Sequence, residues 1–287
     1  MTTSITELSK KTKECFTLSI KLVTIDIDGT LLNSNKELTS EVKTAIKKAT
    51  VQGVNIVLAT GRPTIGVLDL VKELELDNEH GFMITYNGAM IQNAGTEEVL
   101  IEHPLSHDDF LDIELLARKL GVHFHAQDYS RMYTPNRDLS EYTIHEATLT
   151  GIPVSYRAIS EMTPDIKIIK SMMIDKEEIL DEAISKIPTD FSDRFAIVKS
   201  APFYLEVLNK QATKGEAVKE LAAKLNSTLD EVMAIGDNEN DLSMIETAGI
   251  GVAMGNAVPS VKEAANQITT SNDEHGVAHA RTQWVLK

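Results

Sequence analysis

The chain has 287 residues, 42% apolar and 25% charged, a balance that fits one large globular domain or two modest ones and excludes disorder as the default. Its formal net charge of -15 argues against nucleic acid and anionic membrane as partners, since both demand basic patches. The single cysteine, Cys15, rules out an intrachain disulfide and points to a reducing cytoplasm, and no apolar run approaches the ~18 residues of a membrane span.

Residues 1–19 lack the apolar core of a secretory signal and read as an extension ahead of the first strand. A strand is expected over 20–26, closing on Asp26 and Asp28 one residue apart. Helical spacing of Val42, Ala45, Ile46 and Ala49 follows, ended by Gly53. A second strand over 54–59 runs into Thr60-Gly61-Arg62-Pro63, a polar turn. An amphipathic helix over 64–75 and a third strand over 82–86, ending at Asn87-Gly88, complete a β-α-β-α-β series. That alternation is the signature of a parallel sheet with right-handed crossovers.

From 91 to 208 the texture changes to short strands (122–127, 131–134, 166–174, 195–199 and 204–208) with helices near 107–120, 138–150 and 176–187. Alternation then resumes with a helix over 214–225, a strand over 232–236, a short helix over 241–247, a strand over 249–254 and a helix near 257–265. The expectation is an α/β protein: a Rossmann-like, doubly wound parallel-sheet core split in sequence (20–89 and 210–287). An α+β cap domain is inserted at 90–209, with hinges near 87–90 and 208–213.

Three polar clusters sit just past predicted parallel strands: Asp26/Asp28, Thr60-Gly61-Arg62, and Gly236-Asp237-Asn238-Glu239-Asn240-Asp241. In an open parallel sheet, ligands bind at that edge, so these distant segments converge. Asp26, Asp28, Asp237 and Asp241 would then put up to four carboxylates in one crevice, a repulsion that a divalent cation resolves. All-oxygen ligands beside a phosphate substrate point to Mg²⁺. Lys214 offsets the remaining charge, and the Thr60 hydroxyl with the Gly61 amide suits a phosphate oxygen. Asp26, beside the ion, can attack phosphorus, while Asp28 can hold a proton for the leaving oxygen.

Read alone, Thr60-Gly61-Arg62 is a turn, Arg62 the partner of a carboxylate, and Lys214 a solvated helix start. His123 and His125 share a strand face, but no third ligand lies within sequence reach, so lining the cap side of a pocket outranks a zinc site. Met172-Met173 reads as core, and the acidic run 108–114 as a solvated helix face.

Taken together, the ordered motifs resemble the haloacid dehalogenase-like phosphatases, in particular their capped, Cof-type sugar-phosphate phosphatases. The motifs are Asp26-Ile27-Asp28-Gly29-Thr30, Thr60-Gly61-Arg62, Asn87-Gly88, Lys214-Gly215, the run 236–241, Gly255-Asn256 and Gly276-Val277-Ala278. The resemblance covers residues ~20–287 and implies the following roles. Asp26 is the nucleophile and a metal ligand. Asp28 is the general acid/base and offers its backbone carbonyl to Mg²⁺. Asp237 is the remaining metal ligand. Thr60, Gly61 and Lys214 grip the phosphoryl group, with Asn240 close by. Asp241 orients Lys214 or the metal's water, and Asn272 lies near the site. The implied activity is Mg²⁺-dependent hydrolysis of small phosphorylated metabolites. A phosphomutase, which needs a cationic cluster on the cap, and a non-catalytic sugar-phosphate sensor are the alternatives. Oligomeric state is left open.

Overall fold

The computed structural model describes residues 20–284, so the expected extension over 1–19, with Cys15, lies outside the described residues. The first half of the core runs β1 (Leu22–Ile25), β2 (Asn55–Ala59), β3 (Gly81–Thr85), β4 (Met90–Asn93) and β5 (Val99–Glu102). The inserted unit carries β6 (His123–Gln127), β7 (Met132–Thr134), β8 (Val154–Tyr156), β9 (Lys170–Ile174), β10 (Phe195–Ala201) and β11 (Tyr204–Asn209). The chain then returns to the core with β12 (Val232–Gly236), β13 (Ile250–Ala253) and β14 (Gln267–Ile268).

The core sheet has the order β14-β13-β12-β1-β2-β3-β4-β5. It is parallel from β14 through β3. The chain steps outward from β1 to β3 on one side and restarts at β12 on the other, so strand order reverses between β1 and β12. Such a reversal opens a crevice at the carboxyl ends of the two strands. Strands β1, β3 and β12 are buried along their whole length, which is why they read as largely apolar runs, and β1 and β12 each lead straight into an aspartate, Asp26 and Asp237.

Two expectations need correction. The core does not end at residue 89: β4 pairs antiparallel with β3, and β5 with β4, so the sheet continues to Glu102. Residues 87–90 are therefore a turn within the core and not a hinge. Tyr86 and Asn87 take positive φ values of 51° and 56° there, which reverses the chain onto the sheet edge. The first connection to the inserted unit lies instead around 103–105, and the second runs over 209–213, inside the stretch expected for it. The helix expected over 64–75 is broken into a 3₁₀ turn, Thr64–Gly66, and a short helix, Leu68–Glu73. Gly66, a weak helix former, sits at the break, and Ile65 is 54% exposed rather than on a buried face.

The inserted unit has a six-stranded sheet of order β10-β11-β9-β6-β7-β8, antiparallel except between β7 and β8. Helices His107–Leu120 and Glu177–Ser185 pack on one face of it around Phe110, Ile113, Phe124, Met173 and Leu180. No helix among the described residues is long and apolar enough to cross a membrane.

Candidate active site

The Asp26 amide donates to the Ile235 carbonyl at 3.0 Å, so Asp26 extends the β1–β12 ladder by one residue and stands at the crevice. The chain then turns tightly, with Leu31 N donating to the Asp26 carbonyl and Leu32 N to the Ile27 carbonyl, both at 3.0 Å. Gly29 permits the turn at φ 86°, and a Cβ there would lie 2.4 Å from Asp237 Oδ2. Glycine thus answers both a backbone need and a close approach between the two acidic segments.

Lys214 opens helix Lys214–Lys224, whose N-cap Thr213 accepts from Glu216 N. Its Nζ lies 2.6 Å from Asp26 Oδ1 and 2.5 Å from Asp241 Oδ1. All three side chains are buried, at 1%, 5% and 0% exposure for Lys214, Asp26 and Asp241, so these contacts are barely screened by water. Asp241 Oδ2 in turn accepts from the amides of Asp237 and Asn238 at 2.9 and 3.0 Å, which fixes the loop that ends β12. Asp237 Oδ1 accepts a 2.7 Å hydrogen bond from Thr30 Oγ1.

One carboxylate oxygen from each of Asp26, Asp237 and Asp241 lies within 4.8 Å of the others. Burial, and less strongly the Asp241 charge, push the Asp237 carboxyl up to about 6, against the pull of Thr30 and Lys214. Burial and then Asp241 likewise raise Asp26, with Lys214 pulling the other way. Lys214 is held protonated above its ordinary value: burial opposes this, but Asp241 and Asp26 outweigh it. A hard divalent cation fits the donor set, because the donors are all oxygens and its charge would relieve the repulsion between Asp26 and Asp237. Asp241 already spends both oxygens on Lys214 and two amides, so it is a support for such a site.

The Asp28 carboxylate stands outside this group of three. Arg62 Nε and Nη2 grip its two oxygens at 2.8 and 2.7 Å, and Lys36 Nζ adds a third contact at 3.1 Å. Burial alone would raise its pKa, but the hydrogen bonds and charges of Arg62 and then Lys36 outweigh it and hold the carboxyl below its usual range. Arg62 is the carboxylate partner that the sequence suggested.

Thr60 follows β2 at 2% exposure, with its hydroxyl accepting from Arg62 N at 3.1 Å. Gly61 abuts Asn87, and Asn240 Nδ2 donates to Asn87 Oδ1 at 3.1 Å. Thr60, Gly61 and Asn240 are thus gathered around Asn87, whose own Nδ2 donates to Glu206 of the inserted unit at 2.7 Å. Sequence reasoning missed Thr30, Lys36 and Glu206. Thr30 stood inside a quoted motif, whereas nothing local marks the other two.

Asn272 ties loops together, donating to the Leu32 carbonyl while its amide donates to Asn256 Oδ1, both at 3.0 Å. His123 faces Asp175 at 2.9 Å, whereas His125 is fully buried between Thr143 and Met172. No histidine belongs to a cluster of potential metal ligands among the described residues.

The family model of haloacid dehalogenase-like hydrolases matches residues 23–280. A Streptococcus pyogenes protein provisionally named a phosphatase is 48% identical over 94% of this chain and its own full length. The Bacillus subtilis protein YxeH, named in the same provisional way, is 50% identical over 93% of this chain and 98% of its own. A solved haloacid dehalogenase-like hydrolase from Bacteroides thetaiotaomicron superposes with a TM-score of 0.81 at 34% identity, covering 92% of this chain and 99% of that one. A solved subclass IIB sugar phosphatase superposes with a TM-score of 0.75 at 28% identity, covering 92% and 98%.

Proposed function

The chain belongs to the haloacid dehalogenase-like hydrolases as a phosphoric monoester phosphatase, and we propose that it hydrolyses small sugar phosphates with Mg²⁺, through an aspartyl-phosphate on Asp26. The observation that carries this reading is the Lys214 ammonium, buried between Asp26 and Asp241 at the point where strand order reverses. A cation held there by two carboxylates favours the charged form of Asp26 against burial and Asp241, aligns its oxygen, and offsets charge on an incoming phosphoryl group.

Asp26 attacks phosphorus in line and the P–O bond to the leaving group breaks. Thr60, Gly61 and Asn240 hold phosphoryl oxygens from the opposite side of the crevice. Asp28, once Arg62 releases it, takes up a proton, gives it to the leaving oxygen, and later accepts one from the attacking water. Asp26, Asp237 and the Asp28 backbone carbonyl would hold Mg²⁺, which supplies Lewis-acid charge for the phosphoryl oxygens. The inserted unit covers the crevice and excludes bulk water, turning about its two connections.

The substrate class rests on the sugar phosphatase among the structural neighbours. Of the five arginines that a mutase could use on the cap (Arg118, Arg131, Arg137, Arg157 and Arg194), four are engaged elsewhere: Arg118 on Glu114, Arg131 on Ser155, Arg157 on the Tyr156 carbonyl, and Arg194 on Asp109 and Asp112. That weighs against a bisphosphate site. Phosphate release from a panel of phosphomonoesters, with and without Mg²⁺, tests the proposal. Asp26→Asn should abolish release while leaving thermal unfolding intact, and turnover retained by that variant would overturn the mechanism.

A further inference from the structure

The Tyr86–Gly88 turn of the core is joined to strand β11 of the inserted unit by the hydrogen bond from Asn87 to Glu206. Asn87 is 3% exposed and Glu206 4%, so water competes for neither. The backbone of the turn is fixed within the core: Tyr86 N donates to the Arg62 carbonyl at 3.1 Å and Asn87 N to the Thr60 carbonyl at 3.0 Å. The Asn87 side-chain amide backs onto Gly61, where an added Cβ would lie 3.0 Å from Oδ1 and 3.1 Å from Nδ2. What this framework leaves open is which end of the amide faces which neighbour. The two ends have the same shape and differ only in that Nδ2 donates and Oδ1 accepts.

Glu206 decides it. Its Oε1 accepts from the Lys170 ammonium at 3.2 Å and from the Ser200 hydroxyl at 3.0 Å, and its Oε2 is left to Asn87. Lys170 is buried and held protonated above its ordinary value: burial opposes this, but Glu206 and then Glu146 outweigh it. A carboxylate only accepts, so Nδ2 of Asn87 faces Glu206, at 2.7 Å, and Oδ1 faces Asn240. Asn240 then has to answer with its own Nδ2, at 3.1 Å, and keeps the second N–H of that group for another acceptor. With the Asn87 amide turned the other way, Oδ1 would oppose the Glu206 carboxylate, and Asn240 would have to offer its own Oδ1 in place of Nδ2. A buried ion pair costs desolvation that apolar residues of similar volume avoid. Fixing the direction of two amides is a task that apolar residues could not perform.

We propose that Glu206 is a positioning residue for phosphoryl transfer: acting through Asn87, it turns the Asn240 amide so that an N–H, and not a carbonyl oxygen, meets the phosphoryl group. The assignment rests on the phosphatase reading and deepens it, since a residue of the inserted unit then sets the donor that this reading gives to Asn240 of the core. Glu206 does so without touching the substrate. Its effect is therefore common to every ester, whatever the leaving group.

The test measures kcat/KM for the full-length enzyme, Glu206→Gln, Asn240→Ala and the double variant. The substrates are phenyl phosphate and the sugar phosphate that the wild type turns over fastest. Glutamine can offer a donor to Asn87, which frees both amides to flip. Glu206→Gln should lower kcat/KM about tenfold, by the same factor on both esters. In the Asn240→Ala background the same substitution should cost less than about twofold, because the group it orients is gone. A general loosening of the fold would cost equally in both backgrounds. Asn87→Gly is the second variant and carries the test where Glu206→Gln does not fold. Glycine suits the φ of 56° there, and the change leaves Glu206 with Lys170 and Ser200. It should show the same loss and the same dependence on Asn240. A loss confined to the sugar phosphate would make Glu206 a leaving-group contact and overturn the proposal. So would losses that multiply in the double variant, unchanged activity in Glu206→Gln and Asn87→Gly, or an Asn240→Ala variant as active as wild type. A wild type that releases phosphate from neither ester, or turnover retained by Asp26→Asn, would instead sink the phosphatase reading itself.

Discussion

Arg62 holds Asp28 by two parallel bonds, Nε to Oδ2 at 2.8 Å and Nη2 to Oδ1 at 2.7 Å, and that fork opposes the proton that a general acid needs. Removing the fork should raise the Asp28 pKa toward the ordinary carboxylate range. Arg62→Gln should therefore move the alkaline limb of the kcat/KM pH profile to higher pH, since more of the enzyme then carries the proton at a given pH. A limb that stays where it is in wild type would separate Arg62 from the acid step.

Lys214→Met leaves Asp26 and Asp241 facing each other in a buried site with no counter-charge. Stranding buried partners typically costs about 3–5 kcal/mol, so the urea midpoint should drop sharply. Lys214→Met combined with Asp241→Asn should recover part of that loss by removing the repulsion. If the double variant is no more stable than the single one, the three groups do not act as a unit.

Gly29→Ala tests the close approach at the crevice. The positive φ alone costs about 1–3 kcal/mol for a residue with a Cβ. The added methyl also meets Asp237 Oδ2 at 2.4 Å, so Asp237 must move. Activity should therefore fall much further than stability, and Mg²⁺ should be needed at higher concentration. A variant that loses stability with an unchanged Mg²⁺ dependence would mean that Asp237 is not positioned by this contact.

His125 is buried and neutral, with burial first and then the Lys170 charge driving its pKa down to about 3. The unfolded chain takes up a proton near ~6.5, well before the folded state does. Stability from this group is thus fully present above ~6.5 and is lost progressively as pH falls toward the folded value. Denaturant midpoints measured between neutral and acid pH should fall less steeply in His125→Leu than in wild type. Parallel slopes would place the acid sensitivity elsewhere.

The acidic pair after β1, the Thr60-Gly61 turn after β2 and the run after β12 were legible because each ends a continuous apolar strand. The rule for open parallel sheets then brings such ends together. The Asp28–Arg62 fork was only half legible, since the sequence offers many carboxylates and geometry alone selects one. Glu206 was invisible because its meaning lies in a contact with Asn87 across more than a hundred residues. Strands β4 and β5 were missed, and their residues placed in the inserted unit, for a related reason. They are short and antiparallel, and nothing in their pattern tells which sheet a short strand joins, whereas the positive-φ turn at Tyr86–Asn87 decides it. Strands β8 and β14 have three and two residues, too few for a period to register.

The central strand β1 is flanked by β2, made shortly after it, and by β12, with Leu22 pairing to Val232 more than two hundred residues later. During synthesis, then, one edge of the strand that leads to Asp26 waits unpaired while the whole inserted unit is made, and that unit, with its own apolar core, can collapse first. A nascent chain halted before β12 would hold Asp26 and Lys214 without Asp237 or Asp241 and would present an apolar strand edge to other chains. A complete site and protection from aggregation are thus acquired late and together, when β12 and the residues after it arrive.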